Sequence, residues 1–98
     1  MSDTVIVYWR DIPAQVIVGK GRRAAKVQLP ERFEQAIDRA AMKIGAKDGD
    51  AYMAEWKKVP GPASKGDPQA HAEAIALGLE GSHDQDRLKQ LIDNEGRA

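Results

Sequence analysis

The chain contains no cysteine, which excludes disulfides, thiolate nucleophiles and any iron–sulfur or zinc site that takes cysteine ligands from this protein. The absence fits a reducing compartment. There is also no run of roughly 18 apolar residues of the kind that crosses a bilayer. The opening MSDTVIVYWRDIP has neither a basic segment nor the apolar stretch of a signal peptide, so a cytoplasmic location is expected. Aromatic residues are scarce at 5%: two Trp, two Tyr and one Phe. A core built from this chain therefore rests on Val, Ile, Leu and Ala, with a few large rings as anchors. Net charge is missing too, formally zero with a pI near 6.7, which argues against a dedicated nucleic-acid binder.

What is present fits one small domain: 98 residues, within the common range for a single core. The charges are unevenly spread. Residues 1–60 hold 11 Lys/Arg and 8 Asp/Glu, net +3, and residues 61–98 hold 4 and 7, net −3. Between Asp11 and Glu31 there is no acid, while Lys20, Arg22, Arg23 and Lys26 supply four positive charges.

Thr4–Arg10 (TVIVYWR) is β-branched and aromatic, the composition of a strand. Val5, Val7 and Trp9 fall on one face and Thr4, Ile6 and Tyr8 on the other, so both faces are largely apolar and a central position is expected. Arg10-Asp11-Ile12-Pro13 reads as a break. Gln15–Val18 then completes a hairpin, with Val16 and Val18 on the face opposite to Gln15 and Ile17. Gly19–Arg23 is a solvated turn, and Ala25–Leu29 alternates as a third strand.

Pro30 opens the strongest helix, with Glu31 favoured at its positive end. Phe33, Ile37, Ala40, Ala41 and Ile44 form its apolar stripe, and Gly45 ends it. Ala51–Val59 fits an edge strand or a helical turn, and Pro60 is expected to stop either. PGPASKGDP, with three of the five prolines, reads as a linker. Asp67-Pro68 caps a helix carrying Ala72, Ile75, Ala76 and Leu79 and ending near Gly81. Ser82 or Asp84 caps a last helix with Leu88, Leu91 and Ile92 inward, and the tail beyond Asn94 is expected to fray. Strands followed by helices predict an α+β domain: a small antiparallel sheet of three to four strands with two to three helices on one face. Residues 1–59 supply the sheet and main helix, 60–68 the linker and 69–98 the C-terminal helices.

Motifs with chemistry are few. The basic turn Lys20, Arg22, Arg23 with Lys26 suits a phosphate, an RNA backbone or an acidic protein surface; the plainer reading is a hairpin loop kept soluble by charge. It is no P-loop, since GxxxxGK[ST] is absent. Trp9, Arg10 and Asp11 form either a contact point or a structural corner in which Trp9 is buried and Arg10 pairs with a carboxylate. Trp56, flanked by Lys57 and Lys58, poses the same choice. His71-Ala72-Glu73 matches half of a deaminase signature without its PCxxC partner. Two His and no Cys give no metal-ligand pattern, so no metal, cofactor or catalytic residue is expected. An enzyme would need acids such as Asp11, Glu31 or Glu34 converging on a pocket.

The combination VIVYWRDIPAQVIV, KGRRAAKVQLPERFEQAIDRAAM and DAYMAEWKK, closing with RLKQLI, resembles the small bacterial family called virulence factor. That family is similar to the C-terminal domain of the larger conserved virulence factor C proteins. The resemblance spans Val5 to Ile92. In the longer relatives the domain follows helical repeats and a NifU-like domain, which implies an accessory role beside iron–sulfur or cofactor-handling proteins. It brings no catalytic residues with it. The functional expectation is a non-enzymatic protein-interaction module using Trp9, Arg10, Asp11, Lys20, Arg22, Arg23, Lys26 and Trp56. The alternative is a nucleotide or RNA binder acting through residues 20–26.

Overall fold

The computed structural model describes residues 2–19, 21–45, 49–64 and 66–98. The elements run β1 (Ser2–Trp9), β2 (Ile12–Val18), a 3₁₀ turn at Gly21–Arg23, β3 (Ala25–Gln28), α1 (Glu31–Lys43), α2 (Gly49–Ala54), β4 (Trp56–Ser64), α3 (Pro68–Ser82) and α4 (Gln85–Asp93). The four strands form one antiparallel sheet in the order β3-β2-β1-β4. This is the expected α+β architecture, with β1 internal as its two apolar faces imply.

Register divides the sheet into two unlike faces. Thr4 pairs with Val18 and Ile6 with Val16, while Val16 pairs with Val27 and Val18 with Ala25. Side chains opposite each other share a face, and this one meets the helices: Val16, Val18 and Ala25 belong to the same buried cluster as Phe33, Ala36 and Ile37 of α1 and Ala72 and Ala76 of α3. Alanine at those helix positions leaves little side chain between helix and sheet. Leu88 and Leu91 bring α4 into this core, packed along α1. The other face carries the remaining pairs, Val5–Ile17 and Val7–Gln15, Val5–Pro60 and Val7–Lys58, and Ile17–Lys26.

The helix signals act as read except at the start of α1. Pro30 takes the cap position, one residue before the expected first helical place. Gly45, at φ 75°, turns the chain out of α1, with its N–H bonded to Met42 O at 3.1 Å. The Asp67 carboxylate accepts from Ala70 N, and the Asp84 carboxylate from Arg87 N.

Four expectations need correction. Pro13 lies inside β2 rather than breaking it; β3 pairs only from Gln15 onward, so Pro13 has no ladder partner on that side to fail. Ala51–Val59 is neither wholly strand nor wholly helix, because α2 ends at Ala54 and β4 starts at Trp56. Pro60 does not stop the strand, and residues 60–64 of the supposed linker are its second half. On an edge strand alternate N–H groups point away from the sheet, so Pro60 and Pro62, two residues apart, forfeit no bond. Gly61 between them suits its place, since a Cβ there would lie 3.0 Å from Thr4 Cγ2. Finally, the segment after Asn94 is held rather than frayed: Gly96 is buried, its N–H bonds Leu91 O, and its carbonyl accepts from Asp11 N at 2.8 Å.

Candidate binding surface

The β1–β2 turn has two residues, Arg10 and Asp11, between the paired Trp9 and Ile12. Trp9 is fully buried, stacks on Tyr52 with ring centroids 6.0 Å apart, and donates from Nε1 to Tyr52 O at 3.0 Å. The register shift between Val7 and Tyr8 leaves Ala14 of β2 without a partner on β1, and Trp9 belongs to the core cluster that Val5 and Val7 do not join. Arg10 has φ 53°, a region costly to residues with a Cβ, and its surroundings fix it there. Its backbone N–H bonds Glu55 O, Nη1 donates to Glu95 O at 2.8 Å, and Nε lies 3.1 Å from Glu55 Oε2. The arginine thus pairs with Glu55 and not with its neighbour Asp11.

Asp11 accepts from Ala98 N at 2.8 Å and from Lys57 Nζ at 3.2 Å. The Ala98 bond is the main cause holding its carboxyl below the ordinary 3.8; desolvation opposes this and Lys57 adds to it. Burial, with a smaller push from Asp11, raises the Tyr8 phenol above 10.0. Trp9, Arg10 and Asp11 are therefore a corner that ties the hairpin to the α2–β4 junction and to residues 95–98.

The basic turn is at the other end of β2, whose seven residues span about 20 Å. The two groups of candidate residues do not meet in one patch. Arg22 is exposed, and Lys26 is exposed on the open sheet face. Lys20 lies outside the described residues, as does the side chain of Arg23.

Trp56 is half-buried and pairs across the sheet with Trp9. With Val7, Met53, Lys57 and Lys58 it lines a shallow groove of about 550 Å³. The groove continues onto the open face, where Val5, Val7 and Ile17 are half-buried and stand apart from the hydrophobic core. Lys58 lies opposite Val7 and Lys26 opposite Ile17. An apolar strip with lysines beside it is what this surface offers chemically. Sequence reading missed Val5, Val7, Ile17 and Met53; the signal was a strand apolar on both sides in a chain with too little helix to cover both.

The acids considered for catalysis do not assemble. Asp11 is taken up by Lys57 and Ala98, and Glu34 lines a cavity of about 140 Å³ bordered by Tyr52 and Trp56 to which Asp11 and Glu31 do not contribute. His71 Nε2 lies 2.9 Å from Pro62 O, and His83 Nδ1 lies 3.0 Å from Leu79 O. Among the described residues no three His, Asp or Glu stand together as metal ligands, and no helix is long and apolar enough to cross a membrane.

A family model described as "Virulence factor" matches residues 7–92. No curated protein and no solved structure matches the chain.

Proposed function

The chain belongs to the virulence factor family, and from that premise we propose that it is a non-enzymatic accessory module that binds an acidic protein segment on the helix-free face of its sheet. The observation that carries this reading is the continuous strip formed by Val5, Val7 and Ile17 across β1 and β2, with Lys58 and Lys26 as cross-strand neighbours. Single exposed apolar residues are ordinary on a protein surface, whereas a connected apolar patch rimmed by charge supports reading this face as an interaction site.

Charge selects the partner. Lysines on this face favour carboxylates opposite them and penalise other cations. A second copy of the chain is disfavoured, since a twofold interface sets the same patch against itself and would face lysines with lysines. Addition of a strand to the β4 edge is opposed by Pro60 and Pro62, which present no donors. Single-stranded nucleic acid is read by successive exposed rings, whereas Trp9 is buried, Tyr52 is stacked on it and, among the described residues, Trp56 is the one ring that lines this groove, itself half-buried. A phosphate ligand at Arg22 and Lys26 is the competing reading, and its mark is affinity falling steeply with salt.

The test uses two helical peptides with the same leucine stripe, one flanked by glutamates and the other by lysines, titrated into isotope-labelled protein. The glutamate peptide should shift the amide signals of Val5, Val7, Ile17, Lys26 and Lys58 and the lysine peptide should not. Equal binding of both, or shifts confined to residues 21–26, would refute the reading.

A further inference from the structure

We infer that the cavity between β3, α1 and α2 is a binding site for a small organic cation, such as a methylated amine or the head of a basic side chain. Two aromatic walls carry the first part of the case. Tyr52 and Trp56 meet at 79° with centroids 5.9 Å apart, and both line the cavity. Aromatic faces attract cations through their quadrupoles, most strongly where water is displaced. Tyr52 is held in place by stacking on Trp9, whose indole N–H bonds its carbonyl, so little ordering remains to be done when a ligand enters.

The second part is charge. Glu34 lines the same cavity, and Asp38 follows one turn later on α1. Both are exposed, and neither forms an ion pair among the described residues. Like charges four residues apart on a helix are unfavourable, and a cation between them and the rings would relieve that repulsion. Both carboxylates act on the Tyr52 phenol, which burial chiefly, then Asp38 and Glu34, raise above 10.0.

Size and lining give the class of ligand. Leu29 and Ile37 supply apolar surface, and Gln28 adds one neutral polar group. The volume, about 140 Å³, is close to the ~150 Å³ that accommodates one benzene molecule elsewhere. It admits one compact group and excludes a nucleotide or a sugar. This site does not depend on the sheet-face reading.

The experiment follows the aromatic NMR signals of Tyr52 and Trp56 while tetramethylammonium chloride is added, with tert-butanol as a neutral probe of similar shape. Saturable shifts are expected for the cation alone. The double variant Glu34→Gln/Asp38→Asn should weaken binding about tenfold, since screened surface charges still act over these distances. Both positions are exposed and their mutual repulsion is removed, so its unfolding midpoint should not fall below the parent's. Free trimethyllysine and the same residue inside a short peptide then separate a small metabolite amine from a protein side chain as the source. Equal binding of tert-butanol, unchanged affinity in the double variant, or no saturable shift would overturn the inference.

Discussion

The carboxylate of Asp11 accepts a hydrogen bond from the backbone N–H of Ala98 at 2.8 Å, joining the first hairpin turn to a residue 87 positions away. Because this bond lowers the Asp11 pKa below 3.8, the ionised carboxylate stabilises the folded state. That contribution is complete above the unfolded value and is lost as pH falls through the lower folded one. Asp11→Asn should therefore be less stable than the parent at pH 7, and the difference should shrink as pH drops below 3.8. Urea unfolding at pH 7 and pH 3 checks this; a gap that widens on acidification would be the wrong sign.

Arg10 carries both a strained backbone and three anchoring contacts. Arg10→Ala keeps the strain and loses the side-chain bonds to Glu95 and Glu55, for an expected loss of about 2 kcal/mol. Arg10→Gly loses the same bonds but relieves the left-handed backbone, recovering about 1 kcal/mol of that. Denaturant titration of the two variants should rank glycine above alanine.

Gly96 is buried at φ 86°, and a Cβ there would come within 2.9 Å of Trp9 Cζ3. Gly96→Ala should cost about 1 to 3 kcal/mol, the usual range for overpacking. It should also speed hydrogen exchange at the Asp11 amide, whose acceptor is Gly96 O. A neutral result would mean that residues 94–98 fray after all.

Much of this architecture is legible in the sequence wherever local chemistry decides it. The Asp67 and Asp84 caps, the Gly45 stop and the Phe33–Ala41 stripe are short-range signals, and each acts as its residue type demands. What is not legible depends on neighbours that sequence order does not reveal. Pro60 and Pro62 are strand residues only because β4 sits at an edge. Asn94–Ala98 is ordered only because Arg10 and Asp11 come to meet it. The candidate residues were similarly sorted by tertiary structure: Trp9, Arg10 and Asp11 became a structural corner, while Trp56 and Lys26 fell beside an apolar sheet face.

Ala72 is fully buried where α3 crosses the sheet. Ala72→Leu should destabilise by about 1 to 3 kcal/mol by forcing helix and sheet apart. Leu77→Ala on the exposed side of the same helix should stay within about 0.5 kcal/mol of the parent. Thermal unfolding of the pair measures how closely α3 is seated.

The central claim is that an acidic protein segment occupies the helix-free sheet face. The most direct measurement places a photo-crosslinking residue at Ile17, on that face, and in a second protein at Leu77, on the helical side, with irradiation in living cells and sequencing of the attached peptides. The account predicts that position 17 captures a recurrent acidic segment, that position 77 does not, and that Lys26→Glu/Lys58→Glu abolishes the capture. Equal labelling at both positions, attachment of RNA or lipid at position 17, or capture unaffected by the charge reversal would contradict it.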